Sequence, residues 1–363
     1  MTCRKNVFYL PWIDGLRAIA ALSVVLHHGP TLRSVPAFKN YLGWFGVDLF
    51  LVLSAFLLSR LLQMEYAATR TVNVRNFFVR RVLRIWPLYL FIITFSLLYA
   101  WSTHTIEARE AFGWYLAHVT FTQNLAASVH SYSTLPFTAH LWTIALEEQA
   151  YVLMPIFIGA YLRDANAKWL AKALVAAVAM FVLIRLSVVV LGRQHPYVWV
   201  SPLRADTFLF GIFLGLCTSI GADKRRAPAI VLFSAAALVA CLAIWMGAPG
   251  LSDMAEVIGY PLTGAACCLL IFAVDQSALA TRVLGSKPMR HLGKISYGVY
   301  VFHILGLRLS ETLVEQVGVS APYAQLAIAI VITLALAEIS YHLLERPFLL
   351  LKERFTVVQN RPA

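Results

Sequence analysis

Apolar residues in this chain are gathered into long blocks broken by short polar stretches, at about residues 12–30, 42–59, 83–101, 141–162, 169–191, 203–220, 228–247, 257–274, 292–310 and 323–344. Most approach the roughly 20 residues that a helix needs to cross the hydrocarbon of a bilayer. Backbone groups in lipid must be paired within their own segment, so blocks of this kind predict helices. The pattern therefore predicts an all-α polytopic membrane protein of about ten transmembrane helices. The first block does not read as a secretory leader. Its apolar core Ala18–Leu26 is short, Asp14 and Arg17 interrupt its approach, and His27 and His28 stand where a small-residue cleavage site would lie. A further stretch, Ala111–Leu125, is moderately apolar and leads into polar, histidine-bearing sequence up to His140.

Composition agrees with lipid as the main solvent. Of 363 residues 60% are hydrophobic and 13% charged, with a mean hydropathy of +0.72, which excludes disorder and argues against an ordinary soluble domain. The 30 Lys+Arg exceed the 18 Asp+Glu by 12. No nucleic-acid motif accompanies the excess, and its meaning in a polytopic chain is topological. If the N-terminus is cytoplasmic, 22 basic residues fall in the inner segments and six in the outer ones. Both termini are therefore expected in the cytoplasm. A crossing within Ala111–Leu125 would put the basic loops Lys224–Arg226 and Arg282–Lys294 outside, so that stretch is expected to be re-entrant or to lie on the outer face. Residues 1–350 read as one membrane domain and 351–363 as a short basic cytoplasmic tail, with no appended soluble domain. The five cysteines contain no CxxC pair, and neither a disulfide nor a metal site is expected. Gly211 and Gly215 have the small-xxx-small spacing that lets helices approach closely.

Against this background a few ionisable residues stand out, because each costs about 3 kcal/mol or more near the bilayer centre. In the first block Asp14, Arg17 and His28 fall within about 60° of one another on a helical wheel, with Arg17 and His28 about 16 Å apart along the axis. They mark two depths of one polar track. Asp48, at the outer end of the second block, is expected at the depth of His28, where a carboxylate would orient the imidazole for general-base work. At the inner end of the third block lie Arg80, Arg81 and Arg84. Arg81 and Arg84 share a helical face, and guanidinium forks suit phosphate oxygens. Adjacent Glu147 and Glu148, with Tyr151 one turn on, lie inside the fourth block, Arg204 and Asp206 open the sixth, and His303 lies within the ninth. Arg185 lies about two turns from the outer end of its block, where snorkelling is the plain reading.

Seven segments, DGLRAIAALSVVLHH, GVDLFLVLSAF, FFVRRVLRIWP, LWTIALEEQAY, LRADTFLFG, LGKISYGVYVFH and YHLLERPF, resemble in that order the successive motifs of the membrane acyltransferase family 3. Ala55 stands where the family pattern has glycine. The resemblance implies transfer of an acyl group, most often acetyl, from cytosolic acyl-CoA to a sugar hydroxyl of a lipopolysaccharide, exopolysaccharide or other glycoconjugate, at a bacterial cytoplasmic (inner) membrane. It implies acyl-CoA as donor without a metal. Its arginine–histidine pair maps to Arg17 and His28, and its RxxR element to Arg81 and Arg84.

The expected roles follow. His28, Asp48, Arg17 and Glu147 are catalytic; Arg80, Arg81, Arg84 and Arg17 hold the donor; Glu148, Tyr151, Arg204, Asp206 and His303 contact the acceptor. The competing class is a polytopic transporter or flippase carrying a polysaccharide precursor or organic anion, whose intramembrane charges would move protons or substrate. It expects paired halves with matching Gly/Pro-broken segments, and the chain has none.

Overall fold

The computed structural model describes residues 6–30, 43–129, 132–164, 166–192, 198, 200–217, 228–246, 252–317 and 321–359. The basic residues Arg4, Lys5, Arg33, Lys39, Arg193, Lys224, Arg225, Arg226 and Arg361, which enter the charge count, lie outside them. The described chain is almost wholly helical. Its main helices are α1 (Pro11–His28), α2 (Gly43–Thr69), α3 (Val74–Thr103), α4 (Ala108–Val119), α5 (Gln123–Val129), α6 (Trp142–Asp164), α7 (Ala167–Val190), α8 (Asp206–Cys217), α9 (Ala229–Trp245), α10 (Tyr260–Gln276), α11 (Ala278–Leu284), α12 (Lys287–Val317) and α13 (Pro322–Ser340). A π-helical turn, Tyr341–Glu345, leads from α13 into α14 (Arg346–Lys352).

Among the described residues six helical stretches are long and apolar enough to cross a membrane: Phe45–Thr69, Val74–Thr103, Ala139–Arg163, Lys168–Val190, Ala255–Gln276 and Pro322–Phe355. Helices also occupy the other four apolar blocks, but α1 and α12 carry polar residues along their buried faces, and α8 and α9 are short.

The stretch expected to stay on one face divides into α4 and α5. At 12 and seven residues neither reaches the length of a span. Its polar side chains explain the break: His118, Gln123 and Asn124 are buried and each hydrogen-bonds within the protein. Tyr89 Oη donates to the His118 carbonyl at 3.0 Å, and Gln123 Nε2 donates to the Leu141 carbonyl at 3.1 Å. Asn124 and Gln149 exchange amide hydrogen bonds at 3.0 and 2.8 Å.

The helices pack closely because small residues remove side chains at their crossings. A Cβ on Gly293 of α12 would lie 2.0 Å from the Asp14 carbonyl oxygen of α1, so those backbones touch. Gly211 of α8 does the same against α2, where a Cβ would meet the Val52 carbonyl oxygen at 2.4 Å and the Ala55 side chain at 2.7 Å. The expected close approach at GIFLG is therefore present, and Ala55 is tolerated because Gly211 faces it. At one end of the assembly a two-residue strand, β1 (Asn6–Val7), pairs in parallel with β2 (Val358–Gln359) and brings the two ends of the described chain together.

Gly211→Val should therefore force α2 and α8 apart and destabilise the protein by about 1–3 kcal/mol. Gly113→Val, at a site with open space around it, serves as the control. Thermal scans with size-exclusion readout in detergent should show an early aggregation shift for the first variant and none for the second.

Candidate active site

Three cavities lie in series through the helix assembly, joined by shared walls. The outer one has a volume of about 990 Å³ and is lined by His27, His28, His140 and the 132–139 segment among others. A narrow neck of about 60 Å³ follows, lined by Arg17, Val47, Phe50, Ser54, Thr143, Glu147 and Tyr300 among others. The inner cavity, about 400 Å³, is lined by Arg17, Arg81, Arg84, Lys294, Arg346 and Lys352, with Asp14 and Glu353 as its acids. Val47, Thr143 and Tyr300 belong to both the outer cavity and the neck. Arg17 belongs to both the neck and the inner cavity.

The polar face of α1 runs along this passage. Asp14 accepts from Tyr9 Oη at 3.0 Å at the inner cavity, Arg17 lies 5.7 Å from the Phe50 ring centre in the neck, and His28 stands in the outer cavity. The His28 Nδ1–H donates to the Val24 carbonyl at 2.9 Å. A carbonyl can only accept, so this bond fixes the tautomer and leaves the basic lone pair on Nε2.

Here the structure departs from expectation. The tautomer of His28 is set by the backbone of its own helix, and the Asp48 carboxylate is bound by Arg204 Nη2. Asp48 points away from the passage. It follows Val47, and successive residues of a helix diverge by about 100°; with Val47 on the passage, Asp48 faces α8.

Arg204 and Asp206, expected at the acceptor, are completely buried and line none of the three cavities. Arg204 is enclosed between the rings of Trp142 at 5.2 Å and Tyr260 at 4.7 Å. Asp206 receives Arg185 Nη2 at 2.7 Å, and the rest of that guanidinium donates to the Val257 and Leu203 carbonyls. Arg185 is thus turned inward and does not snorkel. These four residues form a dry ion ladder tying α2, α7 and α8.

The inner arginines divide in the same manner. Arg81 and Arg84 line the inner cavity, Arg84 with Glu345 at 3.7 Å. Arg80, expected beside them, donates to Glu65 at 2.8 Å and to the Phe355 carbonyl at 2.9 Å, and so joins α2, α3 and the C-terminal segment. Tyr151 Oη donates to Glu147 Oε2 at 3.0 Å, while the Tyr151 ring lies 6.0 Å from the Arg81 guanidinium. Glu147 is within electrostatic reach of Arg17 and Arg81, and Glu148 of Arg81. His303 is buried behind the outer cavity. Its Nδ1–H donates to the Tyr300 carbonyl at 2.6 Å, and its ring centre lies 4.8 Å from that of His28 and 4.4 Å from that of His140.

Sequence reasoning did not single out His140, Thr143, Lys294, Arg346 or Lys352, which line the passage. The first two stand in the LWTIALEEQ motif or just before it; the last three sit among basic residues whose topological role masks any other. The 132–139 wall of the outer cavity is tied to His118, whose Nε2 meets Ser133 Oγ at 3.2 Å. Burial pushes the His118 imidazole down to about 3, so it is neutral in the folded protein.

A family model described as an acyltransferase domain matches residues 10–342, nearly the whole passage-forming unit. The chain belongs to acyltransferase family 3. Over 93% of its length it is 27% identical to O-acetyltransferase OatA of Staphylococcus aureus. It is also 27% identical over 93% to a Bacillus subtilis protein that bears, provisionally, the name peptidoglycan O-acetyltransferase YrhL. The chain spans 57% and 55% of the length of these relatives. No solved structure matches it. Membership covers the helices that build the passage, and the passage is the candidate site of this polytopic chain.

Two outcomes follow. Arg204→Met should strand a buried carboxylate and cost about 3–5 kcal/mol, much of it regained in Asp48→Asn/Arg204→Met, as read by thermal midpoints in detergent. The second concerns pH. An unfolded His118 titrates near 6.5 while the folded one stays neutral down to about 3, so stability is complete above pH 6.5 and falls as pH drops below it. His118→Gln should flatten that slope by about one proton.

Proposed function

We propose that this acyltransferase moves an acetyl group from cytosolic acetyl-CoA, through the passage, to a hydroxyl of a cell-envelope glycan on the opposite side of the membrane. The observation that carries the reading is the series of cavities with a cationic inner end and an imidazole base at the outer end. About ten helices would cross the bilayer with both termini in the cytoplasm, a reading supported by the excess of basic residues in the inner segments and by the pairing of β1 with β2 beside the cationic cavity. The inner cavity fits a polyphosphate donor: six cationic side chains face it against two carboxylates. Arg81 and Arg84 would hold the phosphates, with Lys294, Arg346 and Lys352 around them. Bound there, acyl-CoA supplies the activated thioester.

The chain's own residues do the rest. Arg17 spans the joint between inner cavity and neck and guides the thioester-bearing pantetheine arm of the donor outward. His28 Nε2 takes the proton of the acceptor hydroxyl as that oxygen attacks, and the same nitrogen then holds the proton for the departing thiolate. Glu147, fixed by Tyr151, balances Arg17 and Arg81 in the neck. The outer cavity is open enough for a sugar. The name borne by the Bacillus subtilis relative favours a hydroxyl of peptidoglycan or a comparable polymer over a lipopolysaccharide.

In proteoliposomes supplied with labelled acetyl-CoA and soluble glycan fragments, His28→Ala should lower transfer at least about 100-fold with yield and melting unchanged. Full activity in that variant would remove His28 from the mechanism. Arg81→Ala/Arg84→Ala should raise the KM for acetyl-CoA about tenfold or more while leaving the KM for the glycan alone, and an unchanged donor KM would return the pair to a topological role.

A further inference from the structure

Three side chains from three helices stand where the outer cavity meets the neck and together form a ring at that joint. Tyr300 of α12, Thr143 of α6 and Val47 of α2 are the residues shared by the outer cavity and the neck. Tyr300 is not free to swing aside. Its hydroxyl donates to the His140 carbonyl and lies 2.5 Å from Thr143 Oγ1, which in that arrangement acts as donor to it. On the neck side Phe50 stands edge-on to the Tyr300 ring at 6.2 Å, so the ring is braced from below as well. His28 lies just beyond, on the outer side, and is not part of the neck.

This geometry limits where a thioester can react. The attacking oxygen must lie within about 3 Å of the base, and the carbonyl carbon about 3–3.5 Å from that oxygen. A sugar ring can enter a cavity of about 990 Å³ but does not fit a neck of about 60 Å³, so the acceptor hydroxyl approaches from the outer side. The two reactants therefore meet at the ring, and the acyl tail is pressed against Val47, Thr143 and Tyr300.

We propose that these three residues are the acyl-length filter of the enzyme: the ring admits a two-carbon acyl group and rejects longer ones. The inference rests on the donor reading above. Each extra methylene must be placed against a ring that two hydrogen bonds hold closed, and exclusion of one methylene is worth about 10–200-fold in kcat/KM.

The test uses the full-length protein in proteoliposomes with acetyl-, propionyl- and butyryl-CoA, and reads the ratio of kcat/KM between donors. Wild type should favour acetyl over butyryl by at least about tenfold. Val47→Ala and Thr143→Ser, which remove methyl groups from the ring, should each move that ratio about tenfold toward the longer donors. Leu309→Ala, on the outer cavity wall away from the ring, should leave it unchanged. Tyr300→Phe, which loses both hydrogen bonds but keeps the ring, should move the ratio in the same direction. Proportional loss of all donors in the three ring variants would overturn the filter while leaving the donor reading intact. No turnover of any acyl-CoA by wild type would overturn both.

Discussion

The Arg204–Asp48 ion pair, shut away from water between two aromatic rings, fixes the rotation of α2 about its own axis. That rotation decides what the passage is made of. With Asp48 held toward α8, the neighbouring positions Val47, Phe50 and Ser54 face the neck. A buried pair of this kind need not add net stability, since desolvation offsets attraction, but breaking it is costly, and it therefore selects one orientation over others. The second rung, Arg185 to Asp206, extends the same constraint to α7, a helix otherwise covered by lipid-facing side chains.

Charge in the low-dielectric interior is thus sorted into two kinds. One kind is paired and dry: Asp48, Arg204, Asp206 and Arg185, and at the inner rim Arg80 with Glu65. The other borders a cavity: Arg17, Arg81, Arg84, Glu147 and His28. The distinction matters because both kinds look alike as sequence, each being an ionisable residue inside an apolar block. What separates them is the rotation of the helix that carries each, which turns the side chain into an ion pair or onto a cavity wall.

That is why the reading of the sequence reached only part of the site. Helical periodicity within α1 was sufficient to place Asp14, Arg17 and His28 on one face, because the angle between residues of one helix is fixed by the backbone. Relations between helices depend on rotation, which no single block encodes. Asp48 was therefore matched to His28 by depth alone, and Arg80, Arg204 and Asp206 were grouped with ligand-facing residues although salt bridges occupy them. The segment of α4 and α5 could be read more securely, since the placement of basic loops beyond it constrained its path. Thr143 carried no signal, because a threonine within an apolar helix is common and costs little; Tyr300 stood in a motif but was equally explicable as part of an interfacial belt.

The pairing of β1 with β2 has a practical side. Phe8, Tyr9 and Leu10, which follow β1, and Glu353 and Thr356, which precede β2, all border the inner cavity. The two ends of the described chain are thus stitched together at the rim of one doorway. Fluorescent labels attached at Asn6 and Gln359 would sit beside that doorway, so they are not neutral handles here. Compared with one another, they become a pair of reporters on traffic through the same opening.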